Sequence, residues 1–215
     1  MEVPFYRKYS LEPEQQKILK TAVLASIEHM KTLGGFYWYD DKGPRNPDSV
    51  DHAEDQSGFR KFNEMKLTYN NMTYSDYHNN GKEGMRDYCP PYRNIVRTYV
   101  QPFLQHYAEM WGCRNWDIRH LWFAQYEGEA DFGWHTHEGC NMSAIYFVEA
   151  PEEHHITEFH GLDVSTDNPR FGESITEGDL MVFPAMVPHR SKPIYNTKRK
   201  TIIGINGEMM NSYLD

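Results

Sequence analysis

Two hydrophobic rhythms divide this chain, and their order constrains its fold more than any other feature. Over residues 10–31, Leu11, Ile18, Leu19, Ala22, Val23, Ile27 and Met30 recur at intervals that put an apolar stripe on one α-helix. Ser10 offers an N-cap side chain, and Gly34-Gly35 offers a stop. A second stripe follows Pro90-Pro91, carried by Tyr92, Ile95, Val96, Tyr99, Val100, Phe103, Leu104, Tyr107 and Trp111 and closed by Gly112. Pro102 lies inside it and is expected to kink it. From Trp116 the period falls to two, with Trp116, Ile118, His120, Trp122, Ala124 and Tyr126 on one face and Asp117, Arg119 and Gln125 on the other. Further strands are predicted at 141–148, 156–159, 180–183 and 200–206. Each helix must bury its stripe, and a sheet supplies the surface. The expected class is therefore mainly β, a sandwich or barrel braced by N-terminal helices, in one domain over 1–215. Residues 1–115 form the helical support and a long loop; 116–206 form the β core.

Between the helices, Asp40 to Cys89 carries Gly43-Pro44, Asn46-Pro47-Asp48, Asn70-Asn71 and Asn79-Asn80-Gly81, which is turn chemistry with little periodicity. A loop this long either covers an active site or is an insertion without a catalytic part, and both readings stand at this level. With 22 Lys+Arg against 31 Asp+Glu and a net charge of -9, no overall field draws the chain to nucleic acid or anionic lipid. The three cysteines, Cys89, Cys113 and Cys140, show no paired spacing, as expected of free thiols in a reducing compartment. The first residues lack the apolar core of a signal peptide and no apolar run is long enough to span a bilayer, so a cytoplasmic location is expected. The 15 Tyr and 5 Trp are many for this length, and most are expected to fill a β core.

The chemistry concentrates in Trp134-His135-Thr136-His137, then Gly178-Asp179-Leu180-Met181-Val182-Phe183-Pro184 leading to His189, then Arg199. Two histidines one residue apart on an extended strand point the same way. A distant third can close one face of a metal and leave the opposite face open, as catalytic rather than structural sites require. Arg199 belongs to a tract, Lys198-Arg199-Lys200, that reads either as a solvated charge run or as one inward guanidinium. If Arg199 faces inward, Thr201, Ile203 and Ile205 face inward with it. His154, His155 and His160 follow Pro151-Glu152-Glu153 and read as an exposed turn; Cys140 reads as a small buried filler.

The string from Tyr126 through His137, followed by Ser143-Ala144-Ile145-Tyr146-Phe147, the glycine-to-histidine run ending at His189, and Pro193, Tyr195 and Arg199, resembles the Fe(II)/2-oxoglutarate-dependent oxygenases. It is most similar to their prolyl-hydroxylase-like branch and to short members with His-x-His in place of His-x-Asp. The resemblance covers roughly 116–206 and implies a double-stranded β-helix, or jelly roll. It implies iron on His135, His137 and His189, with no further catalytic side chain. It also implies that Arg199, ten residues beyond His189, grips the far carboxylate of 2-oxoglutarate. Tyr126, nine residues before His135, offers a phenol to the cosubstrate, where such prolyl hydroxylases carry a tyrosine at the position of Phe147. The implied reaction hydroxylates a peptide, prolyl included, or a small molecule, with release of succinate and CO2 and with ascorbate as supporting reductant. The departure is His137. A neutral imidazole in place of a carboxylate leaves a divalent metal its full charge, and Asp131 and Glu138 are the nearest carboxylates, one in the preceding loop and one alternating to the opposite side of the strand. Two other readings remain: a cupin-type metalloprotein, for which Glu138 comes too soon and Glu149 too late to supply the usual glutamate, and a non-catalytic jelly-roll binding module. Zinc also accepts three histidines.

Overall fold

The computed structural model describes residues 6–32, 74–76, 90–127, 130, 132–151, 157–159, 175–191 and 199–211. Among the described residues there are two helices, α1 over Pro13–Thr32 and α2 over Tyr92–Met110, with Pro102 inside the second. The strands are β1 (Arg7–Ser10), β2 (Tyr74–Ser75), β3 (Asn115–Tyr126), β4 (Phe132–His135), β5 (Met142–Glu149), β6 (Glu158–Phe159), β7 (Asp179–Pro184), β8 (His189–Ser191) and β9 (Lys200–Met210). They form a six-stranded sheet, in the order β1-β7-β5-β9-β3-β2, and a three-stranded sheet, in the order β4-β8-β6. Every assigned pairing is antiparallel. The long loop expected from Asp40 to Cys89 lies outside the described residues except for 74–76, as do His154, His155, His160, Pro193, Tyr195 and Lys198.

Two apolar clusters lie on opposite faces of the large sheet. On the outer face, Leu19, Val23, Ile27 and Met30 of α1 and Val96, Val100, Leu104 and Tyr107 of α2 pack on Phe123, Ala144, Tyr146, Ile203 and Ile205. Between the sheets, Ala124, Tyr126, Ile145, Phe147, Met181, Phe183 and Ile202 meet Phe159 and Val187. Strand parity assigns each residue to one cluster or the other.

The helix stripes are buried or half-buried as their spacing demands, apart from Ile18 and Trp111, which are exposed. Ser10 is not the helix cap. It ends a short strand missed by periodicity, and its hydroxyl donates to Asp179 Oδ1 at 2.5 Å; the helix opens instead at Pro13, where a fixed φ and a missing N–H are tolerated. Gly112 does end α2, at φ 74°. Residue parity along β3 also differs from the even alternation expected. A register shift between Ile118 and His120 puts Ile118, Leu121 and Phe123 on the helix side and Trp122, Ala124 and Tyr126 on the inner side.

The short segment at β2 is tied down by Asp76, which is buried. Its Oδ2 accepts from Tyr92 Oη at 2.6 Å and Arg93 Nη2 at 2.8 Å, and its Oδ1 accepts from the Phe123 backbone N–H at 2.8 Å. Breaking a buried pair by removing one partner costs about 3–5 kcal/mol, and the partly exposed Arg93 sets this case at the lower end. Asp76→Ala should lower the midpoint of thermal unfolding by roughly 6–12 °C, at about 2–4 °C per kcal/mol for a chain of this size. A shift below about 2 °C by calorimetry would show that the carboxylate is not what anchors this segment.

Candidate metal centre and cosubstrate cavity

The site is built where the small sheet faces the large one. His135 is the last residue of β4 and pairs directly across with His189, the first residue of β8. Their ring centroids stand 4.2 Å apart. The chain leaves β4 after His135, and the His137 backbone N–H donates to the Ala185 carbonyl at 3.0 Å, which holds the third imidazole beside the other two. The ligand atoms of His135, His137 and His189 all lie within 4.8 Å of one another, and the two Nε2 atoms of His137 and His189 are 3.3 Å apart. With metal–nitrogen bonds of about 2.0–2.1 Å, nitrogens on one ion lie roughly 3 Å apart, so the donor set fits a divalent ion. Among the described residues this is the histidine-containing cluster that could hold one, and it includes no carboxylate. Asp131 is outside the described residues; Glu138 is exposed at the rim.

Second contacts orient two of the rings. Nδ1 of His135 lies 2.8 Å from the Gly133 carbonyl and Nδ1 of His189 lies 2.8 Å from the Val187 carbonyl, so each Nδ1–H donates to the backbone and each Nε2 keeps its lone pair. Burial, reinforced by the neighbouring imidazoles, pushes the pKa of His135 down to about 2 and that of His137 to about 3. Burial pushes His189 to about 4, against the Val187 carbonyl, which acts the other way. All three are therefore neutral at physiological pH, the state a metal ligand needs.

A cavity of about 290 Å³ opens from the triad, lined by Trp122, Ala124, Tyr126, Phe132, Ile145, Thr157, Ser191, Ile202 and Gly204, with Thr136, Glu138 and Arg190 also on its wall. Gly204 is required there because a Cβ would fall 2.4 Å from Trp122 Cζ2; only a bare backbone lets the indole lie across the strand, its ring centroid 5.9 Å from that of His137.

The basic tract is set one residue away from the expected register. Arg199 shares the helix-side face with Thr201, Ile203 and Ile205, and forms a two-point ion pair with Glu149, Nε to Oε2 and Nη2 to Oε1 at 2.8 Å each. The Thr201 hydroxyl donates to the same carboxylate at 2.5 Å. Burial alone would raise Glu149, yet these partners hold its pKa below the ordinary carboxylate value. Arg199 does not line the cavity, and an inward Arg199 is corrected on this point. The inward cation is Lys200. It is buried, its Nζ donates to Ser191 Oγ at 2.6 Å and stands 5.2 Å from the Tyr126 ring centroid, and burial pushes its pKa down to about 7. The expected parity of 199, 201, 203 and 205 is right, but both faces of β9 are buried and the pattern alone does not say which one holds the site. Tyr126 does line the cavity. Cys140 is half-buried rather than buried, with its thiol 3.6 Å from the His137 carbonyl. Lys200, Asn206, Ser143 and Ser191 were missed; the legible signal was a polar residue, Asn206, inside the apolar run 201–207.

Protonation of the triad ties stability to pH. In the unfolded chain each histidine takes up a proton near pH 6.5, whereas in the fold it does so only at about 4 or below. The unfolded state thus binds more protons between these values, and stability falls as pH drops through that window. Thermal unfolding of chelator-treated protein should show a midpoint that declines from pH 7 toward pH 4.5, and His189→Gln should flatten the slope. An unchanged slope would contradict the assignment of these groups as buried neutral imidazoles.

No family model matches the sequence, and no curated protein matches it. Solved structures do. The viral collagen prolyl hydroxylase of Paramecium Bursaria Chlorella virus-1, in its 2OG complex, superposes with a TM-score of 0.53 at 11% identity over 96% of this chain and 97% of that one. A prolyl hydroxylase from Trichoplax adhaerens, in complex with a hypoxia inducible factor peptide fragment, gives 0.54 at 12% identity over 95% and 84%. SnoK, a non-heme alpha ketoglutarate dependent carbocyclase from nogalamycin biosynthesis, gives 0.57 at 10% identity over 95% and 79%. At these identities the likeness establishes the fold alone: the chain carries a helix-braced jelly roll like that of these solved oxygenases.

Proposed function

We propose that the protein is an Fe(II)- and 2-oxoglutarate-dependent dioxygenase that hydroxylates a peptide, prolyl included, or a small molecule. The observation that carries this reading is a cavity that holds a convergent set of three neutral imidazoles and whose wall, at Ser191 and Tyr126, is backed by a buried ammonium, Lys200. His135, His137 and His189 would hold the ion from one side and leave its other side free for a chelating 2-oxo acid and for O2. Bound there, iron supplies the oxidative chemistry: one oxygen atom goes to the substrate C–H bond, and the other to 2-oxoglutarate, which leaves as succinate and CO2.

Lys200 takes the role that the sequence resemblance gave to Arg199. A dicarboxylate whose 2-oxo acid end lies at the imidazoles needs a partner for its far end, and the ammonium supplies a charge-assisted hydrogen bond, with Ser191 and Tyr126 alongside. Binding a dianion also keeps Lys200 protonated despite its burial. The neutral ligand set favours such anions, since the ion keeps its full charge. The cavity volume of about 290 Å³ is at the small end for ligand sites, which suits a compact cosubstrate and the reacting end of a larger substrate. The neighbours leave both kinds of substrate open: one is in complex with a peptide fragment, and another comes from nogalamycin biosynthesis. The cupin reading loses its remaining glutamate, because Glu149 is engaged by Arg199 and Thr201 on the helix side of the sheet.

Aerobic protein supplied with Fe(II) and ascorbate should turn 2-oxoglutarate into succinate at a slow uncoupled rate without any substrate. Iron-loaded protein that binds no 2-oxoglutarate at millimolar concentration would favour a cupin or a binding module instead. His137→Ala should lose metal, while His137→Asp should keep iron; retention of full affinity by the alanine variant would remove His137 from the ligand set.

The cosubstrate assignment is tested by calorimetric titration with 2-oxoglutarate. Truncating one member of a desolvated charge pair costs about 2–5 kcal/mol, so Lys200→Met should raise the dissociation constant roughly thirtyfold or more. Arg199→Ala should leave it within about threefold. Lys200→Met should also raise the melting temperature of the cosubstrate-free protein, because a buried ammonium is removed from an apolar setting. The opposite ranking of the two variants would return the role to Arg199.

A further inference from the structure

The three imidazoles are not oriented alike. His135 and His189 each donate Nδ1–H to a carbonyl two residues earlier in their own chain segment. His137 has no such local carbonyl partner among the described residues. Its Nδ1 instead faces a side-chain amide, with Asn206 Nδ2 at 3.1 Å, and the Ser143 hydroxyl donates to Asn206 Oδ1 at 2.9 Å. Ser143 and Asn206 are direct cross-strand partners on β5 and β9, and both are buried, at 1% and 3% exposure. Two buried polar side chains paired across a stretch whose neighbours, Ala144 to Phe147 and Ile202 to Ile205, are apolar or glycine must each keep its hydrogen bonds or destabilise the core.

The direction of those bonds matters. With the amide nitrogen donating to His137 Nδ1, the ring proton sits on Nε2, and Nε2–H points to His189 Nε2 at 3.3 Å. A metal ligand requires the other tautomer, with a bare Nε2 and a proton on Nδ1. A half-turn of the amide supplies the acceptor: Oδ1 then takes Nδ1–H of His137, and Nδ2 turns to the Ser143 oxygen, which accepts as readily as it donates. Every bond of the chain is kept with its direction reversed. Aspartate could serve only the second direction, and an apolar residue neither.

We propose that Asn206, backed by Ser143, is the positioning residue that presents Nε2 of His137 to the metal and matches either tautomer of that ring. The inference rests on the three-histidine metal centre described above and extends it to two residues outside the ligand set. It also distinguishes this site from one with a carboxylate ligand, which has no tautomer to fix. An uncharged amide behind the ring makes His137 a weaker donor than a carboxylate in the same place would.

The test is zinc titration of the full chain, with nitrogen-15 NMR of the histidine rings in the zinc-loaded protein. Loss of such a partner typically weakens metal binding about 10–100-fold, so Asn206→Leu should raise the zinc dissociation constant roughly tenfold or more. It should also leave His137 Nδ1–H in fast exchange with water while the His135 and His189 signals stay as they were. Asn206→Asp should hold the Nδ1–H form in the zinc-free protein and bind zinc more tightly than wild type. Ser143→Ala should give a smaller loss in the same direction, and with Asn206→Asp it decides the matter should the leucine variant fail to fold. The proposal is overturned if these variants bind zinc within about twofold of wild type with unchanged His137 signals. His135→Ala separates the two levels: if it abolishes zinc binding while the Asn206 and Ser143 variants do not, the metal centre stands and the positioning role falls. If it too leaves zinc binding intact, the metal centre falls and takes the proposal with it.

Discussion

Strand β9 is hydrogen-bonded on both edges and covered on both faces, and the rest of the structure is arranged around that fact. Its pairings with β3 and β5 form the middle of the large sheet. Ile203 and Ile205 on one face anchor the helices, while on the other face Ile202 and Gly204 line the cavity, Lys200 bonds Ser191 in its wall and Asn206 meets His137. A strand in this position gives every second residue to stability and the remainder to chemistry. Moving its register by one would exchange the two sets and put Arg199 rather than Lys200 beside Ser191 and Tyr126.

That same double burial explains what could be read from the sequence. The helices were legible because one face is wet and one is dry, and the strands because the period changes. His135, His137 and His189 were legible because short-range alternation aligns the first two and the third follows a turn-strand-proline run. The inner cation was not. Arg199 and Lys200 are adjacent, both lead into apolar alternation, and the sequence holds no mark of which side faces helices. The shift in β3 near Arg119 and the one in β5 before Glu149 carry no mark in the sequence either, and each exchanges faces partway along its strand. Glu149 reaches the helix side only through the second shift, and there it captures Arg199. The opening strand at Arg7–Ser10 was lost because its partner, β7, lies far along the chain.

Electrostatically the site is unusual in being built without a negative charge among its described ligand atoms. Burial keeps the imidazoles neutral, their outward contacts are carbonyls and an amide, and the nearby lysine adds positive potential. A divalent ion placed there would keep its whole charge, and the cavity would have a strong preference for dianions. Anion binding then supplies what a carboxylate ligand supplies elsewhere, which makes cosubstrate affinity and metal retention depend on one another.

A crystal structure of the protein with Fe(II) and 2-oxoglutarate, prepared without oxygen, tests this account most directly. The account predicts an ion on Nε2 of His135, His137 and His189 and the far carboxylate of the cosubstrate within about 2.7–2.9 Å of Lys200 Nζ, with Arg199 still on Glu149. An ion held by other residues, or a cosubstrate carboxylate on Arg199 with Lys200 turned away, would contradict it.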